Sequence, residues 1–228
     1  MKWGSCDYAR NKSPALYFHP PRKSRLGVFR RNYVTLWGSR NLEAFLVSTG
    51  IVALAEMGDK TQLLALVLAA RYRRNLPVVF GILIATLANH ALAAWFGAWI
   101  TGMVGGEAMR WILAVSFLAM AAWTLVPDRL DQTSAKASRL GVFGTTLVAF
   151  FLVEMGDKTQ IATVALAARY VSIVPVVAGS TLGMMLANVP AVYLGERILR
   201  RVPVRILHGA AAAVFAALGA LALLAPPL

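Results

Sequence analysis

From residue 42 the chain reads as six long apolar segments separated by short polar stretches. The segments cover roughly 43–70, 77–100, 107–126, 141–168, 175–195 and 203–225. At about 1.5 Å per residue, each predicts a helix long enough to cross a hydrocarbon layer of about 30 Å. Between them lie RYRRNLP at 71–77, TGMVGGEAMR at 101–110, PDRLDQTSAKASR at 127–139 and ERILRRVPVR at 196–205. Pro77, Pro175 and Pro203 stand where helices begin, a position that tolerates the missing N–H. The pattern predicts six transmembrane helices and an all-α membrane protein.

The segments repeat. Residues 56–72 and 154–170 share 12 identities in 17 positions, starting with the identical string EMGDKTQ at 56–62 and 154–160. At the same offset Pro77-Val78-Val79 matches Pro175-Val176-Val177 and Gly81 matches Gly179; LAN at 87–89 meets LAN at 186–188 after a one-residue shift. The chain is therefore expected to be two halves of three helices: repeat 1 over 42–126, a cytosolic linker over 127–140, and repeat 2 over 141–228. Two odd-numbered halves in series must sit in the membrane in opposite orientation. That is the inverted-repeat plan of secondary transporters, with a shared site near the midplane.

Residues 1–41 do not fit this plan. Residues 1–40 lack the apolar core of a signal peptide, and Pro14, Pro20 and Pro21 discourage a helix there. The segment is expected to be a basic tail, disordered or lying on a surface, or else sequence upstream of a misassigned start.

Composition agrees with the apolar pattern: 58% of the 228 residues are hydrophobic and 14% charged, with a mean hydropathy of +0.63. A soluble domain of this size cannot hide that much apolar surface. Cys6 is the sole cysteine, which excludes an internal disulfide and a thiolate metal cluster. The net charge of +13 divides into +8 from residues 1–40 and +5 from the remainder. Membrane flanks explain it better than nucleic-acid binding, so no nucleic-acid partner is expected. The loops between segments 1–2, 3–4 and 5–6 carry Arg71, Arg73, Arg74, Arg129, Lys136, Arg139, Arg197, Arg200, Arg201 and Arg205, against Arg110 and Arg169 in the other two. This asymmetry places the three basic loops in the cytosol and the N-terminus of the core outside, although the basic tail argues the opposite way.

Both EMGDKTQ strings fall near the middle of an apolar segment, too deep for long side chains to snorkel, where each charge costs a few kcal/mol. On a continuous helix Glu56 and Asp59 share a face, as do Glu154 and Asp157. Thr61, Gln62, Thr159 and Gln160 add neutral oxygens. Gly58 and Gly156 either admit a neighbouring helix or let the helix open and expose carbonyl oxygens. Together the copies offer a hard-ligand set suited to Ca²⁺, Mn²⁺ or Mg²⁺. Four acids and two lysines, Lys60 and Lys158, sum to −2, which one divalent ion neutralises. When it leaves, carboxylates in a low-dielectric site can take up protons instead. Met57 and Met155 would add thioethers favouring Mn²⁺, but methionine in an apolar helix is ordinarily packing. The competing structural reading makes Glu56–Lys60 and Glu154–Lys158 i, i+4 staples, with Asp59 and Asp157 bonding across the repeat interface. A staple does not require the repeated Thr and Gln.

Other polar positions are weaker candidates. Asn89, His90 and Asn188 are expected around the site, as interhelical hydrogen bonds, ion contacts or, for His90, a proton relay. His208 is expected at the membrane interface. Trp95, Trp99, Trp111 and Trp123 read as interface anchors or packing, and the alanine-rich run 210–217 as close helix packing. A catalytic His–metal set, cysteine nucleophile or Ser–Lys dyad at a sensible spacing is not found, so an enzyme is not expected.

The doubled Glu-x-Gly-Asp-(Lys/Arg)-(Thr/Ser) motif, each copy in the first helix of a three-helix half, resembles uncharacterised protein family 0016. That family includes transmembrane protein 165 and bacterial manganese exporters, and the resemblance covers about residues 42–225. It implies a cation/proton antiporter that moves Mn²⁺, or in some members Ca²⁺, out of the cytosol. Here that means a multi-pass protein of the bacterial inner membrane, with no permanently bound cofactor. The motif acids carry over onto Glu56, Asp59, Glu154 and Asp157, with Thr61, Gln62, Thr159 and Gln160 completing the shell and Lys60 and Lys158 tuning charge. A non-transporting scaffold and a cation channel with the same ligands remain the alternatives; a homodimer is left open.

Overall fold

A computed structural model describes the backbone of residues 24–126, 140–195 and 204–224, and side chains from residue 38 onward within those ranges except at 204. The linker 127–139, most of the basic tail and the basic residues at 197–201 lie outside the described residues. The chain divides into two compact units, residues 1–37 and 38–228, and both motif copies belong to the second.

Among the described residues all regular structure is helical. In order the helices are α1 (Ser24–Glu56), α2 (Lys60–Tyr72), α3 (Asn75–Met103), α4 (Gly106–Thr124), α5 (Gly141–Glu154), α6 (Lys158–Tyr170), α7 (Ile173–Leu194) and α8 (Val204–Leu224). Three are long and apolar enough to cross a membrane: α3, α7 and Arg205–Leu224 of α8. α1 begins inside the segment expected to be a tail; the three tail prolines all precede Ser24, and none interrupts the helix.

The segments expected at 43–70 and 141–168 are not continuous helices. Each breaks inside its EMGDKTQ string, the first between α1 and α2 and the second between α5 and α6. The cause is local. Gly58 (φ 84°) and Gly156 (φ 79°) occupy the left-handed region that glycine alone enters freely. Asp59 and Asp157 then stand in extended backbone, and a fresh 13-residue helix starts after each. Consequently Glu56 and Asp59 do not share a helical face, and neither do Glu154 and Asp157.

The halves exchange partners. α3 packs on α5 and α6 of the other half, α7 packs on α2, and α4 packs on α6 and α8. Glycines allow the closest approaches. A Cβ on Gly81 would lie 2.7 Å from the Thr146 Cβ and 3.0 Å from the Phe143 carbonyl oxygen, and one on Gly179 would lie 2.3 Å from the Phe45 carbonyl oxygen. Gly81 and Gly179, and likewise Phe45 and Phe143, are 98 positions apart, so the two contacts are repeats of each other. Along α3, residues 81, 89 and 97 meet residues 143, 151 and 164 in ascending order, so α3 runs parallel to α5 and α6. Residues 179 and 183 of α7 meet 45 and 49 of α1 in the same sense. Two polar links reinforce the exchange: Tyr170 donates to Glu43 (3.2 Å) and Ser172 donates to Asn41 (3.1 Å).

α4 and α8 join through a Phe117–Phe215 stack, with Ala211 and Ala212 also buried, as the alanine-rich run predicts. Large apolar side chains line the outside instead, among them Phe80, Trp95, Trp99, Trp111 and Leu152. Charged and amide side chains fill part of the interior. So many large apolar side chains on the outside suit a lipid surround.

Candidate cation site

Each break is built by its own string. Asp59 N–H donates to the Glu56 carbonyl (3.0 Å) and Asp157 N–H to that of Glu154 (3.1 Å), closing the last turn before the break. Gly58 N–H donates to Gln62 Oε1 (2.9 Å), and Gly156 N–H to Gln160 Oε1 (2.6 Å). The glutamines thus span the opening by satisfying an amide that the interrupted helix cannot. Gln62 Nε2 also donates to the Ala187 carbonyl on α7 (2.8 Å). The threonines orient the glutamates: Thr61 Oγ1 donates to Glu56, and Thr159 Oγ1 to Glu154. The EMGDKTQ string therefore uses its Thr and Gln first to shape the break.

The aspartates begin α2 and α6 yet make no side-chain cap hydrogen bond. Their carboxylates turn across the interface to the other copy's lysine. Lys60 Nζ lies 2.5 Å from Asp157 Oδ1, and Lys158 Nζ pairs with Asp59 Oδ1. The salt bridges run between copies, with Asp59 and Asp157 bonding across the repeat interface as the competing reading expected, rather than as its i, i+4 staples within each copy. The helix break is the reason, because it removes the continuous face that a staple needs. The two pairs differ in burial. Lys158 and Asp59 are both 0% exposed, whereas Lys60 is 24% exposed over a buried Asp157.

Two lysine–aspartate pairs cancel in formal charge, so the net −2 falls on Glu56 and Glu154. Both are buried. Glu56, Glu154 and Asp157 bring one oxygen each within 4.8 Å of the others, a spacing that can close on a single metal ion. Among the described residues, Glu56 Oε1, Glu154 Oε2 and Asp157 Oδ2 have no hydrogen-bond partner. Buried carboxylate oxygens left open in this way are costly unless a cation or proton meets them. Asp59 is held by Lys158.

Asn89 and Asn188 are fully buried. Asn89 Nδ2 donates to the Phe151 carbonyl on α5 (3.1 Å), the interhelical bond the sequence suggested, while Asn188 Nδ2 donates to Met184 on its own helix (3.1 Å). Each leaves Oδ1 unpartnered among the described residues. His90 is also fully buried, with neither ring nitrogen hydrogen-bonded among the described residues. His208 meets the first helix break. It is 8% exposed, and Nε2 lies 3.0 Å from the Met57 carbonyl oxygen at the first break. Neither this contact nor the crossed lysines carried a direct sequence signal, though a two-fold repeat axis would have suggested the crossing.

Paired helix breaks with buried acids form the candidate cation site of a helical membrane protein. The chain belongs to the divalent cation/proton antiporter family GDT1, whose pattern matches residues 44–132 and 142–226, one stretch per half. This bears out the resemblance read from the doubled motif. A Vibrio cholerae serotype O1 protein named "Putative manganese exporter" is 46% identical over 175 residues, covering 76% of this chain and 87% of that protein. GDT1-like protein 5 of Arabidopsis thaliana is 28% identical, covering 81% and 97%. GDT1-like protein sll0615 of Synechocystis is 27% identical, covering 71% and 87%. No solved structure matches the chain. The protein is thus a multi-pass membrane protein of a cation-transporting family.

Proposed function

We propose that this protein is a secondary transporter that exports a divalent cation, Mn²⁺, from the cytosol in exchange for protons. The observation that carries the reading is the cluster of Glu56, Glu154 and Asp157, drawn from both copies of one motif and buried with open oxygens. The ion binds there and neutralises the charge of the two glutamates; protons replace it on release. Thr61 and Thr159 hold the glutamates, and Gln62 and Gln160 hold the breaks open. Asn89 and Asn188 supply further neutral oxygens. Manganese is favoured over calcium by the name of the Vibrio cholerae relative and by the family resemblance.

Six spans in two inverted halves, with the basic loops cytosolic, complete the reading. The parallel run of α3 beside α5–α6 and of α7 beside α1 supports it, because alternate spans of an up-and-down bundle run the same way. Rocking of one half against the other would then expose the site to each side in turn. A scaffold that uses the motif only to lock helices accounts for the crossed salt bridges. It leaves the two buried glutamates without a purpose.

The decisive experiment is ion-driven proton flux in proteoliposomes, comparing Mn²⁺, Ca²⁺ and Mg²⁺ with and without a pH gradient. Mn²⁺ movement accelerated by an opposing proton gradient is expected. Movement indifferent to the gradient removes the antiport claim and leaves a channel.

A further inference from the structure

The two motif lysines are identical in sequence context but not in setting. Lys60 pairs with Asp157, which belongs to the three-carboxylate cluster, and its side chain is 24% exposed. Lys158 pairs with Asp59, and both side chains are completely enclosed. An ion entering among Glu56, Glu154 and Asp157 must share Asp157 with the ammonium of Lys60. Lys60 holds Oδ1 while Oδ2 stands open, so the ammonium and a divalent ion on the same carboxylate lie close together and repel each other. Lys60 alone of the two has an exposed side, toward which it can swing away from the ion.

We infer that Lys60 is a tethered counter-cation that occupies Asp157 in the ion-free protein and is displaced when the divalent ion binds. Lys158 is a fixed counter-charge that keeps Asp59 in place throughout. This deepens the proposed function and rests on it. The device weakens binding, because part of the ion's affinity is spent separating Lys60 from Asp157. It also promotes release, since the ammonium returns to the aspartate as the ion departs. No charge is left stranded: four carboxylates, two ammoniums and one divalent ion sum to zero, and the ion-free site reaches neutrality with two protons.

The test is Mn²⁺ binding by calorimetry to the purified full chain in detergent, paired with Mn²⁺ exchange in proteoliposomes. Lys60→Gln is expected to bind Mn²⁺ about tenfold more tightly, within the usual range for coupling between competing occupants, and to turn over more slowly. KM and kcat then both fall. Lys60→Arg, which keeps the charge, shows no such gain in affinity. Lys158→Gln binds no more tightly than the original protein. If Lys60→Gln folds and binds with unchanged or weaker affinity, the inference is overturned. Equal tightening in both lysine variants also overturns it, because overall charge alone would explain that result. Should Lys158→Gln fail to fold, the comparison of Lys60→Gln with Lys60→Arg decides. If the unsubstituted protein binds no divalent cation, the proposed function itself fails and the inference falls with it.

Discussion

Lys158 pairs with Asp59, 99 positions earlier in the chain, and neither side chain is exposed. One copy of the repeated motif thus neutralises the other. Removing one partner from such a pair leaves a charge stranded among apolar helices. Lys158→Met is therefore expected to destabilise the protein by about 3–5 kcal/mol. The double variant Lys158→Met/Asp59→Asn should recover much of this loss. Thermal unfolding in detergent measures both, and a single variant as stable as the original would show that the pair contributes nothing.

Glu154 presents a different case. Its carboxylate accepts from Thr159, and its other oxygen has no partner among the described residues. Glu154→Gln keeps the shape and can keep the threonine contact while removing a ligand charge. Transport should fall to background with a melting temperature close to the original. Full activity in this variant would refute the site.

Gly179 meets the Phe45 carbonyl so closely that a Cβ would lie 2.3 Å away. Gly179→Ala should force α7 from α1 and cost about 1–3 kcal/mol, in line with overpacking elsewhere. Gly102, beside which an added Cβ meets nothing within 4 Å, provides the control. Its alanine variant should be neutral or slightly stabilising, as helix propensity favours Ala. Melting temperatures of the two variants check the contrast.

Val171 ends α6 in the left-handed region, at φ 49°. A β-branched residue is strained there, whereas Asn tolerates the conformation. Val171→Asn is expected to stabilise the protein by about 1 kcal/mol without affecting transport, because the residue is an exposed helix end away from the acids. A loss of stability would indicate that the turn is not strained.

Much of the architecture was legible in the chain because it depends on local pattern. Long apolar runs with proline and basic punctuation specify helices, and α3, α7 and α8 fall close to three of the runs. The repeat was readable because EMGDKTQ recurs letter for letter, and the acids stood out because charges in apolar segments are expensive. The interruption of two helices was only half legible: Gly58 and Gly156 permitted it, but the string scans equally well as one helix.

The sequence by itself therefore determined the helical class, the two-fold repetition and the identity of the charged residues. Tertiary structure alone decided which acid meets which base, which carboxylates converge within 4.8 Å, and that Lys60 is partly exposed while Lys158 is sealed. The physical reason is distance along the chain. Helix formation is settled among residues three or four positions apart, whereas the salt bridges join residues 97 and 99 positions apart. Two identical strings cannot encode their own difference in burial. That difference comes from the helices packed around each copy.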